Sequence, residues 1–170
     1  MAEKVDPNAA HYALAKLEEK GKLSAVITQN IDGLHQAAGS KKVFELHGTT
    51  SCHYCSRCGK LFPTEQVAEL RGKVPRCKQC GGFVRPDVVM YQESLKEATV
   101  RGAVNEIAKA DLLIIGGTSL AVYPAASYIG YYKGKNIVLI NKGETAYDEH
   151  ADLIFREKIG QVLADAVEFI

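Results

Sequence analysis

Four of the five cysteines form two closely spaced pairs, and their spacing predicts a metal site. Cys55-Ser-Arg-Cys58 and Cys77-Lys-Gln-Cys80 are separated by eighteen residues, as in a zinc ribbon. Two residues between thiolates allow one tight turn to present both sulfurs to one ion, and two such turns complete a tetrahedral site. Four thiolates leave no position for water, so we predict one structural zinc ion per chain.

The fifth cysteine makes the register of this site ambiguous. Cys52-His-Tyr-Cys55 is also a C-x2-C pair, and His53 could serve as a ligand. A glycine after a pair suits a turn that needs positive φ, and Gly59 therefore favours Cys55 with Cys58. The alternative is a cluster of buried free thiols. In a reducing compartment, cysteines grouped in this way favour a metal over disulfides.

Polar residues follow three apolar runs that are typical of parallel strands. The runs are Ser24–Thr28, Asp111–Gly117 and Asn136–Ile140. The residues that end or follow them are Gln29, Asn30, Ile31 and Asp32, then Gly117, Thr118 and Ser119, and last Asn141. Ligands bind beyond the carboxyl ends of parallel strands, and hydroxyls with free N–H groups suit a phosphate or ribose. The alternative is that these turns only pack, and that Asn141 bonds its own turn.

His47, in Glu45-Leu-His-Gly48, is a candidate general base. A neutral imidazole can accept a proton near physiological pH. A lone histidine is more often a structural residue, so His47 alone does not predict catalysis. The other histidines have equal or weaker claims.

The elements around these residues predict an α/β fold. Strands alternate with helices, which indicates a partial Rossmann-like parallel sheet of about four strands, the fourth at Asp152–Phe155. Helices are predicted from Asp6-Pro7 to Gly21, from the capping box Ser94–Glu97 to about Ala110, from Pro124, and through Ile159, Val162, Leu163, Ala166 and Ile170. Residues 41–93, rich in cysteine, glycine and proline, interrupt the alternation as an insert between parts 1–40 and 94–170.

Composition narrows the class of protein. The chain has 170 residues, a net charge of +1 and 46% hydrophobic residues, which suits a folded domain with a small insert. We find neither an apolar run of 18 residues nor the apolar core of a secretion signal, so we expect a cytoplasmic protein without a membrane partner. The charge balance does not call for nucleic acid.

A non-catalytic zinc-ribbon binding module is an alternative for the insert. The insert holds a modest basic set that includes Lys60, Arg71, Lys73, Arg76, Lys78 and Arg85. Only Tyr54, Phe62 and Phe83 are available among them for base stacking. This reading also leaves the TQNID and GTSL segments unexplained.

Together, the motifs resemble the sirtuins, the NAD-dependent protein lysine deacylases, of bacterial type. The segments PNAAHYALAKLE, TQNIDGLHQAAG, ELHG, the cysteine pairs, RPDVVMYQE, GTSLAVYPAA and INKGET occur in the family's order. The resemblance covers essentially the whole chain, and the combination is highly specific. It differs at Gln92, where many relatives have glycine.

The resemblance implies a role for each candidate residue. His47 matches the base that takes a proton from the cofactor ribose, and Asn30 the residue that holds the attacking water or ribose hydroxyls. The nicotinamide and ribose pocket would be lined by Gln29, Asn30, Ile31 and Asp32. The ribose and phosphate turn matches Gly117, Thr118 and Ser119, and the adenosine contact matches Asn141. Cys55, Cys58, Cys77 and Cys80 match the zinc ligands, remote from the chemistry.

The resemblance also implies a substrate and a reaction. Val88-Val89-Met90-Tyr91 matches the strand that pairs with an extended acylated lysine peptide. The acyl oxygen would attack C1′ of the ribose, nicotinamide would leave, and the acyl group would depart on ADP-ribose. ADP-ribosyl transfer from NAD is an alternative that the same pocket permits.

One family feature is not found in the sequence. Sirtuins begin with a glycine-rich strand–loop–helix unit that cradles the pyrophosphate, followed by a P-D-F-R loop, and the 170 residues contain neither. We therefore expect this chain alone to bind NAD poorly and to turn over slowly or not at all. A truncated gene model or a fragment is the favoured explanation, and a short homologue completed by another chain is the alternative.

Overall fold

The computed structural model describes residues 5–68 and 73–169 of the chain. Arg71 of the basic set and Ile170 of the terminal helix lie outside these ranges. The helices are α1 Ala9–Glu19, α2 Leu34–Ala37, α3 Thr64–Ala68, α4 Glu97–Lys109 and α5 Ile159–Glu168, with 3-10 helices at Ala125–Tyr131 and Asp148–His150. The strands are β1 Val26–Thr28, β2 Val43–Glu45, β3 Gly48–Cys55, β4 Leu61–Pro63, β5 Val84–Val88, β6 Leu112–Gly116, β7 Asn136–Ile140 and β8 Leu153–Phe155.

These residues form two compact units. The first comprises the chain up to Ile27, Leu34–Phe44 and the chain from Glu97 onward, and the second comprises Thr28–Gly33 and Glu45–Lys96. The second unit thus joins the polar loop after β1 to the cysteine-rich segment. The sequence predicted one domain from residues 1–40 and 94–170 and a second from residues 41–93. These domain limits stay a prediction.

The first unit contains a parallel sheet in the order β6-β7-β8. The register pairs Gly116 with Ile140 and Ile140 with Phe155, so the three strands end at the same level. Leu139, on the central strand, is fully buried. A central parallel strand is covered on both faces, which explains its continuous apolar run. The predicted parallel α/β architecture is confirmed.

The parallel sheet has three strands among the described residues, where the sequence predicted about four. The first predicted strand is present as β1, but it pairs with β2 in a separate two-stranded sheet. Val26 N–H donates to Lys42 O, and Leu46 N–H donates to Thr28 O. An apolar run indicates that a strand forms, but its hydrogen-bonding partner depends on which segment lies beside it.

The core of the first unit lies between helices and sheet. Ala10, Ala13 and Leu17 of α1 pack with Leu163 and Val167 of α5 and with Ile140 of β7. These positions recur at helical spacing on each helix, so that each buries one apolar face. A second cluster contains Ile115, Leu120, Ala126 and Leu139.

The helix boundaries differ from the predicted ones in two places. Asn8, rather than Asp6, caps α1, because its Oδ1 accepts from the N–H groups of Ala10 and His11 while His11 Nδ1 accepts from Asn8 N–H. Helix α4 begins at Glu97 itself rather than inside a capping box at Ser94. Among the described residues, we find no helix that is long and apolar enough to cross a membrane.

Candidate functional site

His47 is held by a hydrogen bond to the loop that follows β1. Its Nδ1 lies 2.9 Å from the backbone oxygen of Gln29. A carbonyl oxygen can only accept, so Nδ1 carries the proton. In the neutral ring, Nε2 is then the unprotonated nitrogen. The hydrogen bond therefore selects the tautomer in which His47 can act as a base through Nε2.

The backbone on both sides of His47 is fixed by neighbouring strands. Leu46 N–H donates to Thr28 O, and Val89 N–H donates to His47 O, both at 2.9 Å. The next residue, Gly48, has φ +78°, and a Cβ there would lie 2.0 Å from Asp87 O. Only glycine tolerates both the conformation and this close approach. The position of the imidazole thus depends on three strands and one glycine.

The loop after β1 is folded against β3 of the same unit. Thr50 N–H and Oγ1 both donate to Ile31 O at 3.0 Å. Asn30 N–H donates to Thr28 Oγ1 at 3.0 Å, and the side chains of Asn30 and Asp32 are exposed. The second unit therefore brings Gln29, Asn30, Ile31 and Asp32 to one loop, which is tied to His47 through Gln29.

The first unit carries the other cofactor candidates at the carboxyl ends of β6 and β7. Gly117 N–H donates to Ile140 O at 3.0 Å, which sets the turn after β6 beside the residue that precedes Asn141. Gly117 has φ +62°, and Leu120, two residues beyond Thr118, has φ +56°. Leu120 N–H donates to Thr118 Oγ1 at 3.1 Å. This turn is more contorted than the sequence indicated, because Leu120 has a backbone conformation that glycine favours.

Asn141 bonds its own turn in this structure. Its Nδ2 donates to Gly143 O at 2.9 Å, and Arg156 Nη1 donates to the same oxygen at 2.8 Å. Arg156 also pairs with Asp148. Burial alone would raise the pKa of Asp148, but hydrogen bonds from Thr145 and Arg156 hold it below its usual value.

Arg156 was not among the residues singled out from the sequence. It follows β8, whose register with β7 places it at the same sheet edge as Asn141. It lines a cleft of about 410 Å³ with Lys142, Glu157, Lys158 and Gln161. An arginine after a strand gives no motif, so only the strand register reveals its position.

The predicted peptide-binding segment is a strand only at its first residue. Strand β5 ends at Val88, and its sheet order, β4-β3-β5, leaves it at an edge among the described strands. Met90 is 55% exposed, and Tyr91 is fully exposed in a turn. Gln92 has φ +72°, a backbone conformation that glycine adopts most readily. This turn ends the strand, because an extended chain cannot continue through a left-handed residue.

The four paired cysteines lie together in the second unit. Their Sγ atoms are all within 4.8 Å of one another, with Cys55 to Cys80 at 3.4 Å and Cys58 to Cys77 at 3.8 Å. Zn–S bonds of about 2.3 Å in a tetrahedron place sulfurs about 3.8 Å apart. Disulfides need about 2.05 Å, and these cysteines are free. The donor set and its spacing fit a metal ion of tetrahedral preference.

The two cysteine pairs have the same local structure. Cys55 N–H donates to Lys60 O and Cys77 N–H to Gly82 O, at 2.9 and 2.8 Å. The residues that follow the pairs, Gly59 and Gly81, have φ of +71° and +72°. Equivalent turns present two sulfurs each from opposite sides, as a closed four-sulfur site requires.

Gly82 was not identified from the sequence, although it is the second glycine of Cys80-Gly-Gly. A Cβ on Gly82 would lie 2.8 Å from Cys55 Sγ and 2.7 Å from Arg57 Cβ. Space beside the sulfurs therefore depends on this residue.

The protonation of the cysteines also favours a cation. Burial opposes ionisation of Cys55, but N–H groups of Cys58 and Arg57 lower its pKa to about 6. The N–H of Gly82 favours the Cys80 thiolate, but the neighbouring Cys55 sulfur raises the Cys80 pKa to about 12. Thiolates so close together repel one another, so a metal ion that binds all four must displace protons.

The structure resolves the register ambiguity of the cysteines. Cys52 lies outside the group, with its Sγ 3.8 Å from His53 O. His53 Nδ1 lies 3.4 Å from Thr64 Oγ1, also away from the four sulfurs. The four cysteines that lie together are therefore those of the pairing favoured from the sequence, Cys55 with Cys58 and Cys77 with Cys80.

The aromatic rings considered for nucleic-acid stacking lie next to cations of the same unit. Arg76 lies over Phe83, Lys60 over Phe62 and Arg85 over Tyr54, with distances to the ring centres of 4.4, 5.9 and 5.8 Å. A base would have to compete with these cations for a ring face, which disfavours the binding-module alternative.

Known proteins resemble the chain along most of its length. The family model of the Sir2 family matches residues 1–124. An NAD-dependent protein deacetylase of Clostridium acetobutylicum is 55% identical over 161 residues, which are 95% of this chain and 66% of the relative. One of Clostridium perfringens is 57% identical over 163 residues, with the same coverage. The chain thus spans slightly less than two thirds of these curated relatives.

Solved structures agree with these relatives. A complex described as Sir2-p53 peptide-NAD+ matches with a TM-score of 0.91 and 43% identity, over 97% of this chain and 70% of that one. Sir2 bound to acetylated peptide matches with the same TM-score and identity, over 96% and 71%. The family model, the sequence relatives and the fold lead to one conclusion: the chain belongs to the Sir2 family.

Proposed function

We propose that the chain contributes the base, the peptide-binding edge and a structural zinc module to an NAD-dependent protein lysine deacetylase. The observation that carries the proposal is the hydrogen bond from His47 Nδ1 to Gln29 O, in a chain of the Sir2 family. It leaves Nε2 ready to accept a proton. The names of the Clostridium relatives and the peptide and NAD complexes of the similar structures support it.

The proposed chemistry of this chain begins at His47. NAD supplies the ribose carbon that receives the acyl oxygen as nicotinamide leaves, and ADP-ribose carries the acyl group away. His47 Nε2 takes a proton from a ribose hydroxyl. The charge that develops on the ring is stabilised by Gln29 O, which accepts from Nδ1–H. The carbonyl also keeps the ring from turning, so that Nε2 keeps its direction through the reaction.

The loop after β1 supplies the pocket around this base in the proposal. Asn30 holds the attacking water or ribose hydroxyls, and Ile31 and Asp32 face the carboxamide. Gln29 contributes its carbonyl to His47 and its side chain to the ribose side. The exposed amide and carboxylate of Asn30 and Asp32 are accessible to a ligand.

The first unit offers its own surface for NAD at the edge of its parallel sheet. Gly117 lets the chain approach the ligand closely, the hydroxyl groups of Thr118 and Ser119 bind ribose and phosphate, and Asn141 contacts adenosine. Two observations support binding of NAD here. Strands β6 and β7 end side by side, and the space beside Gly117 is open, since an added Cβ would meet nothing within 4 Å. Ligands of parallel sheets bind at such edges.

Two further parts complete the proposal. An acylated lysine peptide pairs with the edge of β5 at Val88 and contacts Val89, Met90 and Tyr91. Zinc bound by Cys55, Cys58, Cys77 and Cys80 stabilises the second unit and leaves no coordination position for chemistry.

The experiment replaces His47 by alanine in a protein that joins this chain to the part of the Clostridium perfringens relative that it does not match, and follows loss of acetyl groups from an acetyl-lysine peptide in the presence of NAD. We expect activity to fall at least about 100-fold, as for loss of a general base, while the zinc content stays at one ion per chain. His53→Ala is the matched control, because it removes a histidine of the same unit that lies away from the cysteine group. Unchanged deacetylation by His47→Ala contradicts the role of His47.

Two further assays distinguish the alternatives. Transfer of radiolabelled ADP-ribose onto protein, without loss of acetyl groups, indicates ADP-ribosyl transfer. Tight RNA or DNA binding with no NAD-dependent turnover indicates the zinc-ribbon binding module.

A further inference from the structure

The end of β5 is held by one ion pair that also binds two backbone groups beside it. Arg85 Nη1 and Nη2 donate to the two carboxylate oxygens of Glu93, at 2.6 and 3.0 Å. Arg85 Nη2 also donates to Val88 O at 2.9 Å. Glu93 Oε2 accepts from Met90 N–H at 2.9 Å. A two-pronged Arg–carboxylate contact is the most directional ion pair available to a protein.

These hydrogen bonds take up backbone groups that face away from β3. Val89 N–H donates to His47 O, so Val89 directs its polar groups toward β3. In a nearly extended chain the neighbouring residues, Val88 and Met90, direct theirs the opposite way. Val88 O and Met90 N–H therefore lie on the outer side, where the Arg85–Glu93 pair binds them. A carbonyl oxygen has two lone pairs, so Val88 O can accept from a peptide as well as from Arg85.

The pair closes a turn that would not be favoured without it. Glu93 N–H donates to Met90 O at 3.0 Å, which defines a four-residue turn, and Gln92 has φ +72° within it. A left-handed non-glycine residue is strained, and the exposed Met90 and Tyr91 gain little from packing. Local hydrogen bonds must supply the order of this turn.

The pair contributes order rather than global stability. Arg85 and Glu93 are 29% and 42% exposed at their side chains, and ion pairs of this exposure contribute little to the free energy of unfolding. All of their backbone partners, however, lie within the three residues Val88–Met90. The consequence of losing the pair is therefore confined to this segment.

We infer that Arg85 and Glu93 are positioning residues that hold the segment Val88–Glu93 in the shape that receives an acyl-lysine peptide. The inference rests on the proposed deacetylase function and adds to it residues that do not touch the reacting atoms. A segment ordered in advance loses less entropy when the peptide binds. Peptide affinity depends on the pair, whereas the tautomer of His47 is set by Gln29 O, which lies outside this segment.

The test measures binding of a fluorescein-labelled peptide with one acetyl-lysine, and of the same peptide with unmodified lysine, to wild-type protein and variants. Glu93→Ala is expected to raise the dissociation constant and the peptide KM about tenfold, with kcat at saturation, KM for NAD and zinc content unchanged. Glu93→Gln is expected to have a smaller effect, because its amide oxygen still accepts from Met90 N–H. Arg85→Lys keeps the charge and should recover part of the loss seen in Arg85→Ala.

Lys96→Ala is the matched control. It removes another ion pair of the same unit, with Asp87, that does not bind the turn. Peptide affinity within twofold of wild type is expected for it. If Glu93→Ala binds the acetylated peptide like wild type, or loses kcat at unchanged KM, the inference is overturned while the proposed function stands. If wild-type protein shows no preference for the acetylated peptide, the proposed function and the inference are both overturned.

Discussion

Gly48, the residue after His47, lies so close to Asp87 that a Cβ would come within 2.0 Å of the Asp87 carbonyl oxygen. Backbone oxygens of a paired strand cannot move aside as a flexible side chain can. The candidate base is therefore tied to the spacing of β3 and β5.

Gly48→Ala tests this relationship. We expect the free energy of unfolding to fall by about 2–4 kcal/mol, since a left-handed φ and a clash with backbone act together. Deacetylation should fall as well, because His47 moves with β3. Denaturant unfolding and peptide deacetylation measure the two effects.

Gly21→Ala separates the cost of the backbone conformation from that of the clash. Gly21 also has positive φ, +67°, but an added Cβ meets nothing within 4 Å. A loss of about 1 kcal/mol with normal activity is expected. Equal losses of stability in Gly48→Ala and Gly21→Ala contradict the importance of the contact with Asp87.

The metal site gives a second prediction. Gly82→Ala places a methyl group 2.8 Å from Cys55 Sγ, and we expect zinc affinity to fall about tenfold or more. Competition with a coloured chelator measures it. Gly130→Ala, where an added Cβ meets nothing within 4 Å, is the control and should retain zinc. Wild-type affinity in Gly82→Ala is the result that refutes the predicted crowding.

Zinc removal is the related experiment. Cys55, Cys77 and Val84 form the buried centre of the second unit, with Phe62 packed against them. Without an ion, the four sulfurs are not bonded to one another and stabilise this centre little. A strong chelator should therefore lower the melting temperature and speed amide hydrogen exchange in β3 and β5. Unchanged exchange in both strands after metal removal is inconsistent with a structural ion.

The third prediction concerns pH. Hydrogen bonds from Arg85, and then from Met90 N–H, lower the Glu93 pKa from 4.5 to about 2. A carboxyl whose pKa is lower in the folded state stabilises the protein above its unfolded pKa, and the contribution disappears as pH falls toward the folded pKa. The difference in free energy of unfolding between wild type and Glu93→Gln should be constant from pH 7 to about 5 and shrink between 4.5 and 2.

Denaturant unfolding at a series of pH values measures this difference. Acid also protonates the cysteines, but this affects wild type and Glu93→Gln alike and cancels in the comparison. A difference that persists undiminished at pH 2 is incompatible with the assigned contact.

The fourth prediction concerns Gln92. Since its φ is +72°, Gln92→Gly should leave stability unchanged or raise it by up to about 1 kcal/mol, whereas the β-branched Gln92→Val should lower it by about 1–2 kcal/mol. Thermal unfolding orders the three proteins. A melting temperature that is higher for Gln92→Val than for Gln92→Gly contradicts the left-handed conformation of Gln92.

Local patterns predicted a large part of this structure. The C-x2-C pairs, each followed by glycine, predicted which cysteines gather, because the turn that joins two ligands is encoded within six residues. The apolar runs at β6, β7 and β8 predicted a parallel sheet, because a strand covered on both faces must be apolar throughout. Gly21 marked the end of α1 through its positive φ.

Predictions failed where a specific hydrogen bond or strand partner, rather than residue type and spacing, made the decision. Asn8 and Asp6 are both good caps, and the reciprocal bond with His11 selects Asn8. The segment Val88–Tyr91 has the composition of a strand, but Arg85 and Glu93 fold it into a turn after Val88. Strand β1 was recognisable, yet its partner β2 was not.

The sequence by itself therefore determined the family, the four clustered sulfurs of the candidate metal site and the identity of the candidate base. These depend on residue type and short spacing, which a chain carries in any conformation. Only the tertiary structure decided that Gln29 O selects the tautomer of His47, that Gly82 borders the sulfurs and that Arg156 reaches the turn of Asn141. Each of those is a contact between residues far apart in sequence, and such contacts exist only once strands have paired and set their register.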